Sequence, residues 1–190
     1  MTLYALLIFV HVVSAVTLFS ALAIEAVSVA RLTRSQTPTD AGVWMELLRV
    51  PDRLGPIAML TTLGSGIWMM ALGWGPQPWL TGAFIGFIAM GVVGGVLSGR
   101  RLRRFRNALA GASGPSPAEA LRSIRSSSAL LTSLRLRIGI GVGILGLMTI
   151  KPANTVTAAI ILSAGVALAL LVAAIPFPAR RSAAGETTQA

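Results

Sequence analysis

The sequence predicts an all-α polytopic membrane bundle of five transmembrane helices, with the N-terminus outside and the C-terminus in the cytoplasm. Hydrophobic residues make up 54% of the 190 residues, charged residues only 12%, and the mean hydropathy is +0.77. A soluble domain of this size does not need so apolar a composition. Several apolar runs approach or exceed the roughly 20 residues that cross a bilayer as a helix. Basic residues cluster at the ends of alternate runs, as the positive-inside rule predicts.

The first predicted span covers about residues 3–30, where one histidine and one acidic residue interrupt an apolar run. A short amphipathic helix, AGVWMELLRVPDR, is then expected to lie along the membrane surface and to end at Pro51. Pro56 is expected to open the second span, which covers about residues 56–73.

The segment GWGPQPW, residues 73–79, predicts a tight external turn with two tryptophans at the membrane interface. The third span covers about residues 80–99 and ends in RRLRRF, residues 100–105. This is the most basic cluster of the chain, and it indicates the cytoplasmic side. Ser116 and Pro117 then predict the start of a short surface helix.

The fourth span requires about residues 130–150. The uninterrupted apolar run from Ile138 to Ile150 is only about 20 Å long as a helix, which is shorter than the hydrocarbon layer. The helix must therefore begin earlier and carry Arg135 and Arg137 inside its cytoplasmic end.

The fifth span covers about residues 156–175 after a second external turn, KPANT. The chain is thus expected to form a single transmembrane domain at residues 1–178 and a disordered cytoplasmic tail at residues 179–190. On this topology all fifteen arginines lie on one side and only Lys151 faces outward. We expect a bacterial cytoplasmic (inner) membrane protein, in which contact with the bilayer and not with nucleic acid accounts for the net charge of +10.

Glycines recur at four-residue spacing in the third and fourth spans, which places them on one face of each helix. Small residues at this spacing let a neighbouring backbone approach closely. We expect packing seams between helices, with a homo-oligomer or a membrane-complex partner as a further use of the same faces. The residues are Gly91, Gly95, Gly99, Gly139 and Gly143.

Glu25 lies about five residues inside the cytoplasmic end of the first span, at a depth matching that of Arg135 and Arg137 in the fourth. An unpaired ion at such a depth costs roughly 2.5 to 3.5 kcal/mol on insertion scales. The sequence therefore predicts an intramembrane pair of Glu25 with Arg135 or Arg137. Because these arginines are about 200° apart around a helix, only one of them is expected to face the bundle. Such a pair either fixes the register of two helices or belongs to a proton or anion pathway.

His11 is the only histidine, and it is expected to face the bundle about 12 Å from the outer end of the first helix. A neutral imidazole there can ligate heme iron, relay a proton, or form a hydrogen bond between helices. With no second histidine and no cysteine, a closed metal site within one chain is not expected.

Three stretches carry a resemblance to a known group: FVHVVSAVTLF in the first span, TTLGSGIW in the second, and LRLRIGIGVGILGLMTIKP in the fourth. Together they resemble the bacterial predicted integral-membrane proteins grouped as domain of unknown function 2269, over most of residues 3–176. The early histidine is also distantly similar to that of copper-resistance D type proteins and of the integral-membrane protoporphyrinogen oxidase. In that oxidase type the histidine is a heme ligand, and the matching residue is His11.

Two function classes follow. The first is a small-solute or ion transport component, or an accessory of a membrane complex, without enzymatic activity and with no cofactor expected. The alternative is a heme-binding membrane oxidoreductase that holds heme b with His11 as an axial ligand. In that case Glu25 and the arginines would neutralise a propionate or carry protons.

Overall fold

Helices form every regular element of the computed structural model, which describes residues 2–111 and 116–174. Within these ranges, five helical segments are long and apolar enough to cross a membrane, and no strand is present. The chain is therefore an all-α protein with the build of a multi-pass membrane protein, as predicted. The segments are Leu3–Leu32, Pro38–Gly73, Pro78–Leu109, Ser128–Ile150 and Thr155–Val172.

Eight α-helices and two π-helical turns make up these segments and their connections in the described ranges. A π-helical turn, with i to i+5 hydrogen bonds, is wider than an α-helical one. The first such turn, Met70–Trp74, extends the helix that ends at Met69. The second, Gly94–Gly99, joins the helix that ends at Val93 to the one that begins at Arg100. The α-helices are α1 (Leu3–Leu32), α2 (Pro38–Leu47), α3 (Arg49–Met69), α4 (Pro78–Val93), α5 (Arg100–Leu109), α6 (Pro117–Arg125), α7 (Ser128–Ile150) and α8 (Thr155–Ala174).

The second membrane-crossing segment begins earlier than predicted. Only Leu48 separates α2 from α3, and its backbone is itself helical. The expectation that Pro51 ends a surface helix and that Pro56 opens the span was wrong. Pro51 lies in the first turn of α3, where a missing N–H breaks no helical hydrogen bond, and Pro56 lies inside α3 at the cost of one such bond.

The third membrane-crossing segment runs straight into the arginine-rich stretch. From Pro78 to Leu109 it has 32 residues, or about 48 Å of helix, against a hydrocarbon layer of about 30 Å. Helix α5 therefore extends beyond the apolar layer. Its Leu102, Phe105 and Ala108 are buried, while most of its arginines are exposed.

Two hydrophobic cores hold the helices together. One lies at the arginine-rich end of the bundle, called the basic end below, where the end of α1 and the start of α7 pack against α2, α5 and α6. The other lies between α1, α3, α4, α7 and α8 within the spanning region. The closest helix pairs are α7 with α8 and α1 with α3.

The α7–α8 contact is a seam between glycines. A Cβ atom on Gly165 would lie 2.6 Å from the Gly139 carbonyl oxygen, and one on Gly143 would lie 2.9 Å from the Leu162 Cα atom. Side chains do not fit at such distances, so these glycines allow direct contact between the two backbones. Gly139 and Gly143, expected in a seam and considered for a partner surface, are thus both used inside the chain.

Helix α6 begins with a capping box at the position that the sequence predicted. The Ser116 hydroxyl accepts a hydrogen bond from the Glu119 backbone N–H at 3.4 Å, and the Glu119 carboxylate accepts one from the Ser116 backbone N–H at 3.0 Å. Hydrogen bonds from the Ser116 backbone N–H and then its hydroxyl lower the pKa of Glu119.

The end of the fifth span at residue 175, the end of the domain at residue 178 and the predicted tail at residues 179–190 lie outside the described residues.

Candidate functional site

An ion pair links the first and fourth membrane-crossing helices near the basic end. Nη2 of Arg137 on α7 donates to Oε1 of Glu25 on α1, and each side chain is only 13% exposed. Arg135, the other arginine considered as a partner, is half-buried and forms no ion pair with a described residue. The structure therefore brings Glu25 together with Arg137 alone.

Gly94 provides the space in which the Arg137 guanidinium lies. A Cβ atom at position 94 would be 2.7 Å from Nη1 of Arg137 and 3.2 Å from its Cδ atom. Gly94 is the first residue of the second π-helical turn, a feature that often marks functional sites. The four-residue spacing of glycines in the sequence predicted packing roles for Gly91, Gly95 and Gly99, but it did not include Gly94. The adjacent pair Gly94–Gly95, unusual inside a helix, was the available signal.

The ion pair lines a cavity of about 370 Å³ between α1, α3, α4, the second π-helical turn and α7. Most of its wall is apolar side chain and glycine. The polar exceptions besides the ion pair are Asp52, which pairs with Arg106, and Ser98. The lining residues are Leu18, Phe19, Ala21, Leu22, Glu25, Pro51, Asp52, Gly55, Pro56, Met59, Met90, Gly91, Gly94, Gly95, Ser98, Gly99, Leu102 and Arg137.

Arg137 has more donors than the described residues satisfy. Its Nε atom is buried and has no hydrogen-bond partner among them. A buried donor left unpaired costs about 1 to 3 kcal/mol, and more when it is charged. Among the described residues, Glu25 is the acidic partner of Arg137, and one donor of the guanidinium group is left without an acceptor.

A serine network holds the π-helical turn against α7. The Ser98 hydroxyl donates to the Ser133 hydroxyl at 2.9 Å, and Ser133 donates in turn to the Val93 carbonyl at 3.3 Å. Both serines are buried, Ser133 completely. The wide turn is therefore fixed to the helix that carries Arg137.

His11 lies in a second polar cluster, between α1 and α3. Its Nδ1 atom is 3.0 Å from the Ser65 hydroxyl, which donates its own proton to the Thr61 carbonyl at 2.7 Å. If Ser65 gives its only proton to Thr61, it accepts the hydrogen bond from Nδ1 of the imidazole, and Nε2 of the neutral ring is then unprotonated. One turn after His11 on α1, the Ser14 hydroxyl accepts a hydrogen bond from the Thr62 hydroxyl of α3 at 2.8 Å. The cluster joins two helices by side-chain hydrogen bonds.

The surroundings of His11 do not fit a heme. Donation by Nδ1 does leave Nε2 in the state that a metal requires. However, the ring packs against Gly66, whose Cβ position is 3.4 Å from Cε1, and none of the three best-formed cavities among the described residues includes His11. The cationic group that a propionate would need, Arg137, lies near Glu25, about 21 Å further along α1.

No group of three or more His, Cys, Asp or Glu residues in the described ranges is arranged to hold a metal ion. No protein-family model, no curated protein and no solved structure matches the chain.

Proposed function

We propose that this chain is a multi-pass transport component of a bacterial inner membrane, and that its cavity binds a small organic anion together with a proton. The observation that carries the proposal is the Arg137 guanidinium, which lines a mostly apolar cavity together with its partner Glu25. The second carboxylate of the wall, Asp52, is paired with Arg106. A ligand with an acidic group would accept charge-assisted hydrogen bonds from the Arg137 guanidinium in this cavity.

Charge balance couples the anion to a proton. When an anion pairs with Arg137, the Glu25 carboxylate loses its cationic partner in a poorly hydrated site. An unpaired carboxylate there is costly, so Glu25 takes up a proton as the anion arrives. The site then holds one cation and one anion both before and after binding. Transport by this exchange is electroneutral symport of one proton with one monovalent anion.

The cavity lining indicates the class of anion. Leu18, Phe19, Met59 and Met90 supply apolar surface, and Arg137 is the one cationic residue that the described part of the chain contributes to the wall. Ligand sites of this kind combine apolar contact with a few polar groups that fix orientation. The ligand is therefore a small molecule with one acidic group and an apolar body.

The proposed orientation places the basic end in the cytoplasm, because arginine-rich connections stay on that side. The chain contains no cysteine, so single cysteines report the topology directly. In intact cells, a membrane-impermeant maleimide should label Ala153→Cys in the KPANT turn but not Ala110→Cys at the end of α5. The reverse labelling pattern would contradict this orientation.

Equilibrium binding tests the anion assignment. Purified protein is offered benzenesulfonate, benzoate and neutral benzamide, which share one apolar ring. The proposal expects binding of the two anions but not of benzamide, and a loss of at least about tenfold in Arg137→Gln, since a charge-assisted hydrogen bond is removed. Arg135→Gln, with the same charge change two residues away, is the matched control. Equal binding of the anions by wild type and Arg137→Gln would overturn the assignment.

Proton coupling is measured in liposomes that contain a pH-sensitive dye. Benzenesulfonate is the probe, because its acid group stays ionised and does not cross the bilayer as a neutral species. External benzenesulfonate should acidify the lumen with wild type and not with Glu25→Gln, while Glu25→Gln still binds the anion. A Glu25→Gln protein that acidifies the lumen as wild type does would contradict the coupling.

The alternative function, a heme-binding oxidoreductase with His11 as axial ligand, has one supporting observation: Nδ1 is engaged with Ser65, as in metal-ligating histidines whose second ring nitrogen is oriented by a hydrogen bond. An accessory role in a membrane complex is a further candidate. Of the glycines proposed for a partner surface, only Gly95 has open space around its Cβ position.

A further inference from the structure

A basic groove lies outside the site described above, between α5 and the junction of α6 with α7. Its volume is about 840 Å³, and it is lined by Arg101, Arg104 and Asn107 from α5 and by serines at positions 123 and 126–128. No acidic residue of the described ranges lines it. Neither arginine has an ion-pair partner among the described residues, so their charge is not balanced within this part of the chain.

The arginines of the groove are positioned by a hydrogen bond and by helix spacing. Nη1 of Arg101 donates to the Ser127 hydroxyl across the groove. Arg104 lies one turn later on the same face of α5. With Asn107 and the serine hydroxyls, the groove offers many more hydrogen-bond donors than the two oxygens of a carboxylate can accept. A phosphate monoester has three terminal acceptor oxygens, and a phosphodiester has two terminal oxygens and two weaker ester oxygens. Both match the planar donors of arginine.

The apolar floor of the groove narrows the choice of phosphate compound. Phe105, Ile124 and Leu130 contribute to it, but all three are buried in the core at the basic end. Phe105 is only 2% exposed, so it offers no face on which a nucleobase could stack. The groove therefore fits the phosphate and a small polar body better than it fits a nucleotide.

The groove also lies where phosphate groups are abundant. Arg101 follows the second π-helical turn, at the point where the Pro78–Leu109 helix has already used the length of the apolar layer. Phospholipid headgroups begin at that level.

We infer that the basic groove is a binding site for a phosphate ester, either the headgroup of an anionic phospholipid or a soluble glycerophosphate, held by Arg101, Arg104 and the Ser127 hydroxyl. This inference is independent of the transport proposal, because the groove shares no residue with the cavity.

The test uses full-length protein in detergent with two phosphate sources. Native mass spectrometry counts retained dihexanoyl phosphatidylglycerol against dihexanoyl phosphatidylcholine, and thermal unfolding measures stabilisation by glycerol 3-phosphate. Retention of phosphatidylglycerol alone identifies a lipid headgroup site. Stabilisation by glycerol 3-phosphate alone identifies a soluble ligand, and both results together identify a site that recognises the phosphate itself.

Two double variants distinguish specific binding in the groove from non-specific attraction by positive charge. Arg101→Gln with Arg104→Gln removes two charges from the groove and should weaken binding by at least about tenfold. Arg122→Gln with Arg125→Gln removes two exposed charges from α6 that do not line the groove, and it should leave binding within about twofold of wild type. All four side chains are exposed, so both double variants are expected to fold. Equal loss of binding in the two variants, or no preference of wild type for phosphatidylglycerol and no stabilisation by glycerol 3-phosphate, would overturn the inference.

Discussion

The Arg137 guanidinium lies directly over Gly94, so close that a Cβ atom at position 94 would be 2.7 Å from Nη1. The same guanidinium pairs with Glu25 through Nη2. One glycine on the π-helical turn thus determines whether the arginine can reach its carboxylate partner.

Gly94→Ala should displace Arg137 and weaken its pairing with Glu25. The expected cost is about 1 to 3 kcal/mol, as for other overpacked buried sites, with reduced anion binding in the assay above. Gly64→Ala on α3 is the matched control, because nothing lies within 4 Å of its Cβ position and Gly64 does not line the cavity. Unfolding in detergent and anion binding are measured for both variants. Equal effects of the two alanines would contradict a specific role for Gly94.

His11 and Ser65 should be energetically coupled, since their hydrogen bond joins α1 to α3. In a double-mutant cycle of His11→Phe and Ser65→Ala, we expect a coupling free energy of about 0.6 kcal/mol, the average for such bonds in a membrane. A second cycle that pairs His11→Phe with Thr81→Ala should give no coupling, because Thr81 bonds only to its own helix. Absence of coupling between His11 and Ser65 would show that the contact is incidental.

Addition of hemin to the purified protein should produce no Soret band that depends on His11. The ring is packed against Gly66 and its Nδ1 atom is engaged with Ser65, while the cavity lies elsewhere. Visible spectra of wild type and His11→Ala, each with and without hemin, provide the measurement. A Soret band present in wild type and lost in His11→Ala would restore the oxidoreductase hypothesis.

The start of α6 should depend on pH through Glu119. Because hydrogen bonds from Ser116 lower its pKa below the ordinary 4.5, ionised Glu119 stabilises the folded cap. This stabilisation is fully present above the unfolded-state value and is lost as pH falls through the lowered folded-state value. Hydrogen exchange of amides 118–121, corrected for intrinsic rates, should show protection that decreases in acid. Glu119→Gln should remove this dependence, and an unchanged pH profile in that variant would contradict the assignment.

The number of membrane-crossing helices could be predicted because hydropathy and length determine it almost alone. Helix boundaries near proline could not be predicted from hydropathy and length. Pro51 marks a break only if it lies beyond the first turn of its helix, and the sequence does not reveal where α3 begins. The two π-helical turns leave hydropathy unchanged, so no apolar pattern indicates them.

The sequence predicted the depth of the candidate site along its helices, but not which residues form it. Matching depths pointed from Glu25 to Arg135 and Arg137, and only the packing of α7 distinguishes the two arginines. Four-residue spacing singled out Gly91, Gly95 and Gly99 and passed over Gly94, because a regular α-helical period does not apply across a π-helical turn.

The Gly94–Gly99 turn also determines how α5 is rotated about its axis relative to α4. A π-helical turn contains about one residue more than an α-helical turn, and each residue of an α-helix turns the chain by about 100°. Relaxing the Gly94–Gly99 turn to α-helical hydrogen bonding would swing α5 about its axis by roughly that angle relative to α4. Gly94 is at the start of this π-helical turn, and Arg101 follows its end. A single change of backbone hydrogen-bond register would therefore change both the direction of the groove arginines and the backbone against which Arg137 packs.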